Sequence, residues 1–280
     1  MLQGKLSFRP LAATFVVEML VRVSLGVALV ALGFGVVGAT VGLTASFIAT
    51  WLHVRVLAGR ITPTPLGSGV SREIITFAGP IALLLIGQII VNNGDVLIAK
   101  RFLDPETAGI YAAIALVGRA VFFLSWSVAT TLFPAAAQRS EKGQDANGLL
   151  YGGLVVVALL GAGIVTGAAF LGGPVLGRVF GPEYADVSGP LAWYALATSL
   201  FAMANLIVSH HLSMGRKTEA FLLLLGGIGQ TVALLANRGS IDSLIGAQVV
   251  SMTALFFVIF ASHMVSTKSD KAQAVAEVAR

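Results

Sequence analysis

The chain has no cysteine among its 280 residues, so disulfides, thiolate metal sites and cysteine nucleophiles are excluded. Charge is nearly as scarce: 11% of residues are Asp, Glu, Lys or Arg, against about 25% in a soluble globular domain. That is too little to clothe a water-soluble protein of this size, and it excludes an ordinary soluble enzyme or binding domain. The surplus is apolar, with 56% hydrophobic residues, 32 glycines and a mean hydropathy of +0.90. Such a chain is suited to lipid. At ~20 residues per crossing helix it has room for roughly eight spans.

Apolar runs place those spans at 11–33, 34–56, 74–99, 107–134, 149–171, 190–209, 220–236 and 241–265. Only glycines within residues 33–38 separate the first two. A single helix there would exceed roughly 60 Å, about twice the hydrocarbon core, so a break is expected. The expected class is all-α, a polytopic membrane helix bundle of about eight transmembrane helices. The longest segment between spans, 172–189, is rich in Gly and Pro and reads as an ordered re-entrant or capping loop on the outer face. Thr62-Pro63-Thr64-Pro65 reads as a linker between helix groups.

Orientation follows from the basic residues. Lys5, Arg9, Arg55, Arg60, Arg72, Arg139, Lys142, Arg216, Lys217, Lys268, Lys271 and Arg280 fall on one side, twelve in all, against Lys100, Arg101, Arg178 and Arg238, four, on the other. The asymmetry places both termini in the cytoplasm. It also accounts for the sequence pI of about 9.8 as a face meeting anionic membrane lipid, with no nucleic-acid partner implied. Glu18 and Arg22 interrupt the first run and a second span follows at once, which argues against a cleaved signal peptide.

Several patterns have bland explanations. Gly33-Phe-Gly-Val-Val-Gly38 matches a dinucleotide fingerprint, but no strand precedes it and membrane spans flank it. Gly38 and Gly42 are better read as a small-residue pair for close helix packing, and Gly152, Gly153, Gly161, Gly163 and Gly167 likewise. His210 and His211, at a helix end without nearby acidic ligands, read as interfacial polar residues, as does His53. No hydrolase or zinc-protease motif occurs, so no enzyme, metal or cofactor is expected.

The informative residues are ionisable ones within spans, each unfavourable by at least ~2.5–3.5 kcal/mol at a helix centre unless it faces protein or water. Glu18 precedes Arg22 by one turn, with Thr14 on the same stripe, and serves either as a self-neutralising structural pair or as part of a substrate site. Arg119 has no acidic neighbour one turn away, so its partner lies on another helix, in water or on a ligand. Helix rise places both guanidinium groups near the midplane. In the third span Gln88, Asn92 and Asp95 share one face. Asp95 is open to three roles: holding a proton or cation, balancing Arg119, or pairing with Lys100 or Arg101. Pro80 is expected to kink this span and free a carbonyl. Asn205, Gln230 and Gln248 either line a cavity or bond a neighbouring helix.

Residues 76–134 carry Pro80, Asn92-x-x-Asp95, Ala108-Gly109-x-Tyr111, Arg119 and Phe133-Pro134, and the later stretch Phe180-Gly181-Pro182-Glu183-Tyr184 follows in order. In this order and spacing the chain resembles the oligosaccharide flippases, relatives of the MATE exporters. That family has twelve or more helices in two six-helix lobes. The resemblance therefore implies a complete second lobe and a truncated first one: 1–60 as the last two helices of the first lobe, 61–73 as a cytoplasmic inter-lobe linker, 74–266 as the second lobe and 267–280 as a cytoplasmic tail. A missing N-terminal four-helix segment, or a partner chain supplying it, is also implied. The implied activity is translocation of a polyprenyl-diphosphate-linked oligosaccharide across a bacterial plasma membrane by alternating access. Arg119 and Arg22 would bind the substrate, and Asp95, Asn92, Gln88 and Glu18 would line the cavity or couple transport. A small-molecule antiporter of the same fold and a non-transporting membrane scaffold or fragment are the alternatives. A glycosyl-transfer enzyme ranks last, since only Glu183 and Asp186 offer outer-loop carboxylates.

Overall fold

The computed structural model describes residues 8–58, 70–142 and 147–278, and every element among them is helical. The chain divides into two compact units, 1–68 and 69–280. The Thr62–Pro65 linker expected from sequence lies outside the described residues.

The first unit is a hairpin of α1 (Phe8–Leu29) and α2 (Gly35–Ala58). A wide, π-type turn over Val30–Phe34 joins them, and Gly33 (φ 91°) and Gly35 (φ 49°) both take left-handed backbone that favours glycine. The expected break is therefore present. Gly42 lies so close to α1 that a Cβ there would stand 2.6 Å from the Gly26 Cα, and a Cβ on Gly38 would meet Leu29 Cβ at 2.9 Å. Bare backbone faces bare backbone at this crossing, which lets dispersion forces hold the pair where lipid removes the hydrophobic drive.

The second unit contains α3 (Val70–Phe102), α4 (Pro105–Gly118), α5 (Ala120–Glu141), α6 (Asn147–Val179), α7 (Ser188–Ser213), α8 (Thr218–Ala236) and α9 (Ile241–Val278). Successive spans run in alternate directions, with α4 and α5 forming one span bent at Arg119. Seven stretches are long and apolar enough to cross a membrane, the first of them being the whole α1–α2 hairpin. This is a polytopic membrane helix bundle. Side chains such as Leu97, Leu159, Phe170, Val250 and Phe257 point outward, as a lipid-facing belt requires.

Helix α7 is the buried centre, packed against α4, α5, α6, α8 and α9. Alanines at 195, 197, 202 and 204 allow neighbours to approach on several sides. One apolar cluster surrounds Phe122, Leu150, Phe201, Leu223 and Ile259, while a second, nearer the turns at 103–104 and 237–240, gathers Tyr111, Ile114, Leu176, Leu191, Tyr194 and Leu244.

One expectation changes. The Gly- and Pro-rich segment 172–189 is mostly helix, because α6 runs through Pro174 to Val179 and only a tight turn around Pro182–Tyr184 precedes α7. Gly173 makes this fit possible: a Cβ there would come within 1.9 Å of the Ala185 carbonyl oxygen, and its N–H donates to Ser188 Oγ at 2.7 Å. The segment 267–278, read as a tail, continues α9 as helix. Pro80 lies inside helix α3, where its ring leaves the Thr76 carbonyl without the usual backbone donor.

Candidate functional site

The bend between α4 and α5 places Arg119. Its backbone (φ −77°, ψ −4°) caps α4, and the Gly118 carbonyl released there accepts from Thr198 Oγ1 of α7 at 2.7 Å. Glycine is needed at 118 because a Cβ would stand 2.4 Å from the Tyr194 ring. The guanidinium can then reach α3, where its Nη2 donates to Asp95 Oδ1 at 2.7 Å, and α7, where its Nε donates to the Tyr194 hydroxyl at 2.9 Å. Tyr194 passes its own proton to Asp95 Oδ2 at 2.6 Å. Tyr111 Oη lies 3.2 Å from the same oxygen and 3.3 Å from Gln248 Oε1 of α9. The two tyrosine rings meet edge to face, centroids 6.1 Å apart.

Asp95 is fully buried, and Arg119 keeps 14% of its side-chain surface exposed. The carboxylate thus accepts from three side chains on two other spans, and the cluster is closely neutral. This resolves the open reading of Arg119: its partner is Asp95 on another helix. Of the basic residues considered for Asp95, Arg119 is the one that pairs with it, while Lys100 is exposed and Arg101 lies against the Phe102 ring.

The remaining face of α3 ties the bundle together. Gln88 Nε2 donates to Asn205 Oδ1 at 2.5 Å, both side chains being buried. Asn92 Nδ2 turns back to the Gln88 carbonyl at 3.0 Å. Gln230 donates to the Val91 carbonyl at 3.5 Å. Of the readings left open for these amides, each follows the one in which it bonds protein groups.

In the first unit Glu18 accepts from Arg22 one turn away, and the Arg22 guanidinium also lies over the Phe47 ring of α2, 5.6 Å from its centroid. Arg22 retains 41% of its side-chain surface and Glu18 20%. This pair is more exposed within its unit than the Asp95–Arg119 pair is within the second.

Tyr194 escaped the sequence reading, and Tyr111 entered it only as a motif residue with no role in a site. Tyr111 and Tyr194 carry the hydrogen bonds that complete the Asp95 site; the one available signal was that Tyr111 and Arg119 stand two turns apart on one face. The histidine reading needs correction: His210 and His211 are not interfacial but buried, at 5% and 0% exposure. His211 meets His263 of α9, also buried, so they belong to the bundle's interior. The sequence showed a helix end but not that α9 folds back across it. Among the described residues no three His, Asp or Glu side chains are arranged to hold a metal ion.

A protein-family model described as "Polysaccharide biosynthesis protein" matches residues 1–189, which includes Asp95, Tyr111 and Arg119 but not Tyr194 or Gln248. No curated protein and no solved structure matches the chain significantly. With apolar helices of membrane-crossing length throughout and two thirds of its length covered by that model, this multi-pass membrane protein belongs to the polysaccharide biosynthesis protein family.

Proposed function

We propose that the protein is a flippase of MATE-like architecture, moving a polyprenyl-diphosphate-linked oligosaccharide across a bacterial plasma membrane, with both termini in the cytoplasm. The observation that carries this reading is the Asp95–Arg119 ion pair within the spans of a chain of this family. No bond is made or broken in such transport, so the groups needed are ones that bind and release charge. Arg119 offers a planar, permanently charged donor set suited to a diphosphate. In this conformation Asp95 and Tyr194 occupy those donors, and an incoming diphosphate would compete with Asp95 for them. Exchange of one anionic partner for another inside the bundle is how the site would link cargo binding to rearrangement of α3 against α4 and α7. Arg22 of the first unit, more exposed and held by Glu18, is a further candidate for binding the substrate's anionic groups.

A second reading has a specific observation in its favour: Arg119 is already satisfied by protein groups, as a structural lock in a non-transporting scaffold would be. Complementation of a flippase-deficient strain with the full-length protein separates the two. Arg119→Ala is expected to abolish glycan export; export at the normal level, with normal protein amounts, would remove Arg119 from the mechanism. The exchanged pair Asp95→Arg with Arg119→Asp should restore protein level without restoring export. Recovery of both would leave only the lock.

A further inference from the structure

At the opposite end of the second unit, four spans converge on a buried chain of titratable side chains. Tyr151 of α6 lies 3.3 Å from His263 Nε2 of α9; His263 Nδ1 lies 2.9 Å from His211 Nε2 of α7; and His211 Nδ1 lies 3.2 Å from Glu219 Oε1 of α8. Ser262 donates to that same Glu219 oxygen at 3.0 Å. Tyr151 is 41% exposed, whereas His263, His211 and Glu219 are 1%, 0% and 2% exposed. The chain therefore leads from the surface to a carboxylate in the interior.

The other groups facing it are few. His210 stands beside both rings, 6.0 Å from His211 and 6.4 Å from His263 by centroids, and Arg216 in the α7–α8 turn acts electrostatically on His263. Helix α5 presents Ala129, Leu132 and Ala136 on the His210 side.

Donor parity restricts the proton arrangements. With both rings neutral, each contact in the row needs one hydrogen, and a single consistent order exists with His211 facing Glu219 as a donor. The Tyr151 hydroxyl donates to His263 Nε2, His263 Nδ1–H to His211 Nε2, and His211 Nδ1–H stands 3.2 Å from Glu219 Oε1, an ion-pair separation without hydrogen-bond geometry in this conformation. All donors then point inward, and the site carries the Glu219 charge. One added proton makes His211 an imidazolium that donates at both nitrogens and reverses the two remaining bonds toward Tyr151. A buried carboxylate with one hydroxyl donor, and an Oε2 that has no hydrogen-bond partner among the described residues, gains a counter-charge by that step. A second proton would place two imidazolium rings with N–H groups opposed across 2.9 Å, which the geometry forbids.

We propose that Glu219, His211 and His263 form a site for one proton, loaded from the surface through Tyr151. Four spans meet there, so the proton's arrival changes the charge and hydrogen-bond direction joining α6, α7, α8 and α9. The inference does not depend on the cargo, and its test needs no transport.

The chain holds four histidines, so nitrogen NMR of histidine-labelled full-length protein in lipid nanodiscs can follow each ring. His211 and His263 are expected to titrate together, with one midpoint and one proton between them, and to show coupling across their shared hydrogen bond. In Glu219→Gln the imidazolium loses its carboxylate, and the joint midpoint should fall by about one pH unit or more. Tyr151→Phe should leave the joint titration in place and slow proton exchange with solvent. Independent titration of the two rings in the unaltered protein, taking up two protons, would overturn the proposal without reference to any variant. So would an unmoved midpoint in well-folded Glu219→Gln, or signals that shift on adding Zn2+ at fixed pH and return with chelator. Unchanged exchange in Tyr151→Phe would overturn the entry route.

Discussion

A carboxylate with no exposed surface, set in a membrane helix, has to be neutralised, hydrogen-bonded or both. Asp95 achieves both through Arg119, Tyr194 and Tyr111. Asp95→Asn leaves the guanidinium in the bundle without its counter-ion, and a loss of about 3–5 kcal/mol is expected, read as a fall in thermal stability in detergent. The double variant Asp95→Asn with Arg119→Gln should recover most of it, because no unpaired charge then remains. Tyr194→Phe removes one bond to the carboxylate and one from the guanidinium, and should lower stability by about 1.5–3 kcal/mol in the same measurement. The ionic members of this cluster were legible in the sequence because charge within an apolar run is conspicuous. The tyrosines were not, since a phenol in a span satisfies its hydroxyl equally well at the headgroups.

Among the elements, the α1–α2 hairpin has the simplest dependence on sequence. Gly42 touches Gly26 backbone, so Gly42→Leu cannot be accommodated without separating the helices. Crosslinking of cysteines introduced across the crossing should drop sharply in that variant, while Gly148→Leu, where the glycine has open space, leaves its own helix undisturbed. The start of α4 depends on Asp104, whose side chain caps the helix by accepting from the Thr107 N–H at 3.0 Å. Bonds from Thr107, first its hydroxyl and then its N–H, hold this carboxyl below its ordinary value of 3.8. The contribution is complete above that ordinary value and disappears as pH falls through the lowered one. Hydrogen exchange at residues 106–108 should accordingly accelerate only in strong acid, and Asp104→Ala should show the faster exchange at neutral pH.

For the molecule as a whole, the absence of cysteine is an experimental convenience. Single cysteines at Lys142 and Gly215 lie at one end of the second unit, and those at Asp104 and Ser240 at the other. If the basic residues set orientation as expected, the first two react with an impermeant maleimide only from the cytoplasmic side and the last two only from outside. Labelling in the reverse sense would invert the topology and move the histidine row to the outer face.

Hydropathy alone settled the solvent and the place of the first turn, because each rests on local properties: run length, charge, and glycines that alone tolerate left-handed backbone. Which charges pair was decided only by folding. Asp95 and Arg119 are separated by a helix turn and a bend, Tyr194 and Gln248 come from spans much farther along the chain, and the row from Tyr151 to Glu219 exists only once α9 lies beside α6, α7 and α8. Period and composition describe one helix at a time, whereas a buried charge is satisfied by whatever neighbouring helices bring within about 3 Å.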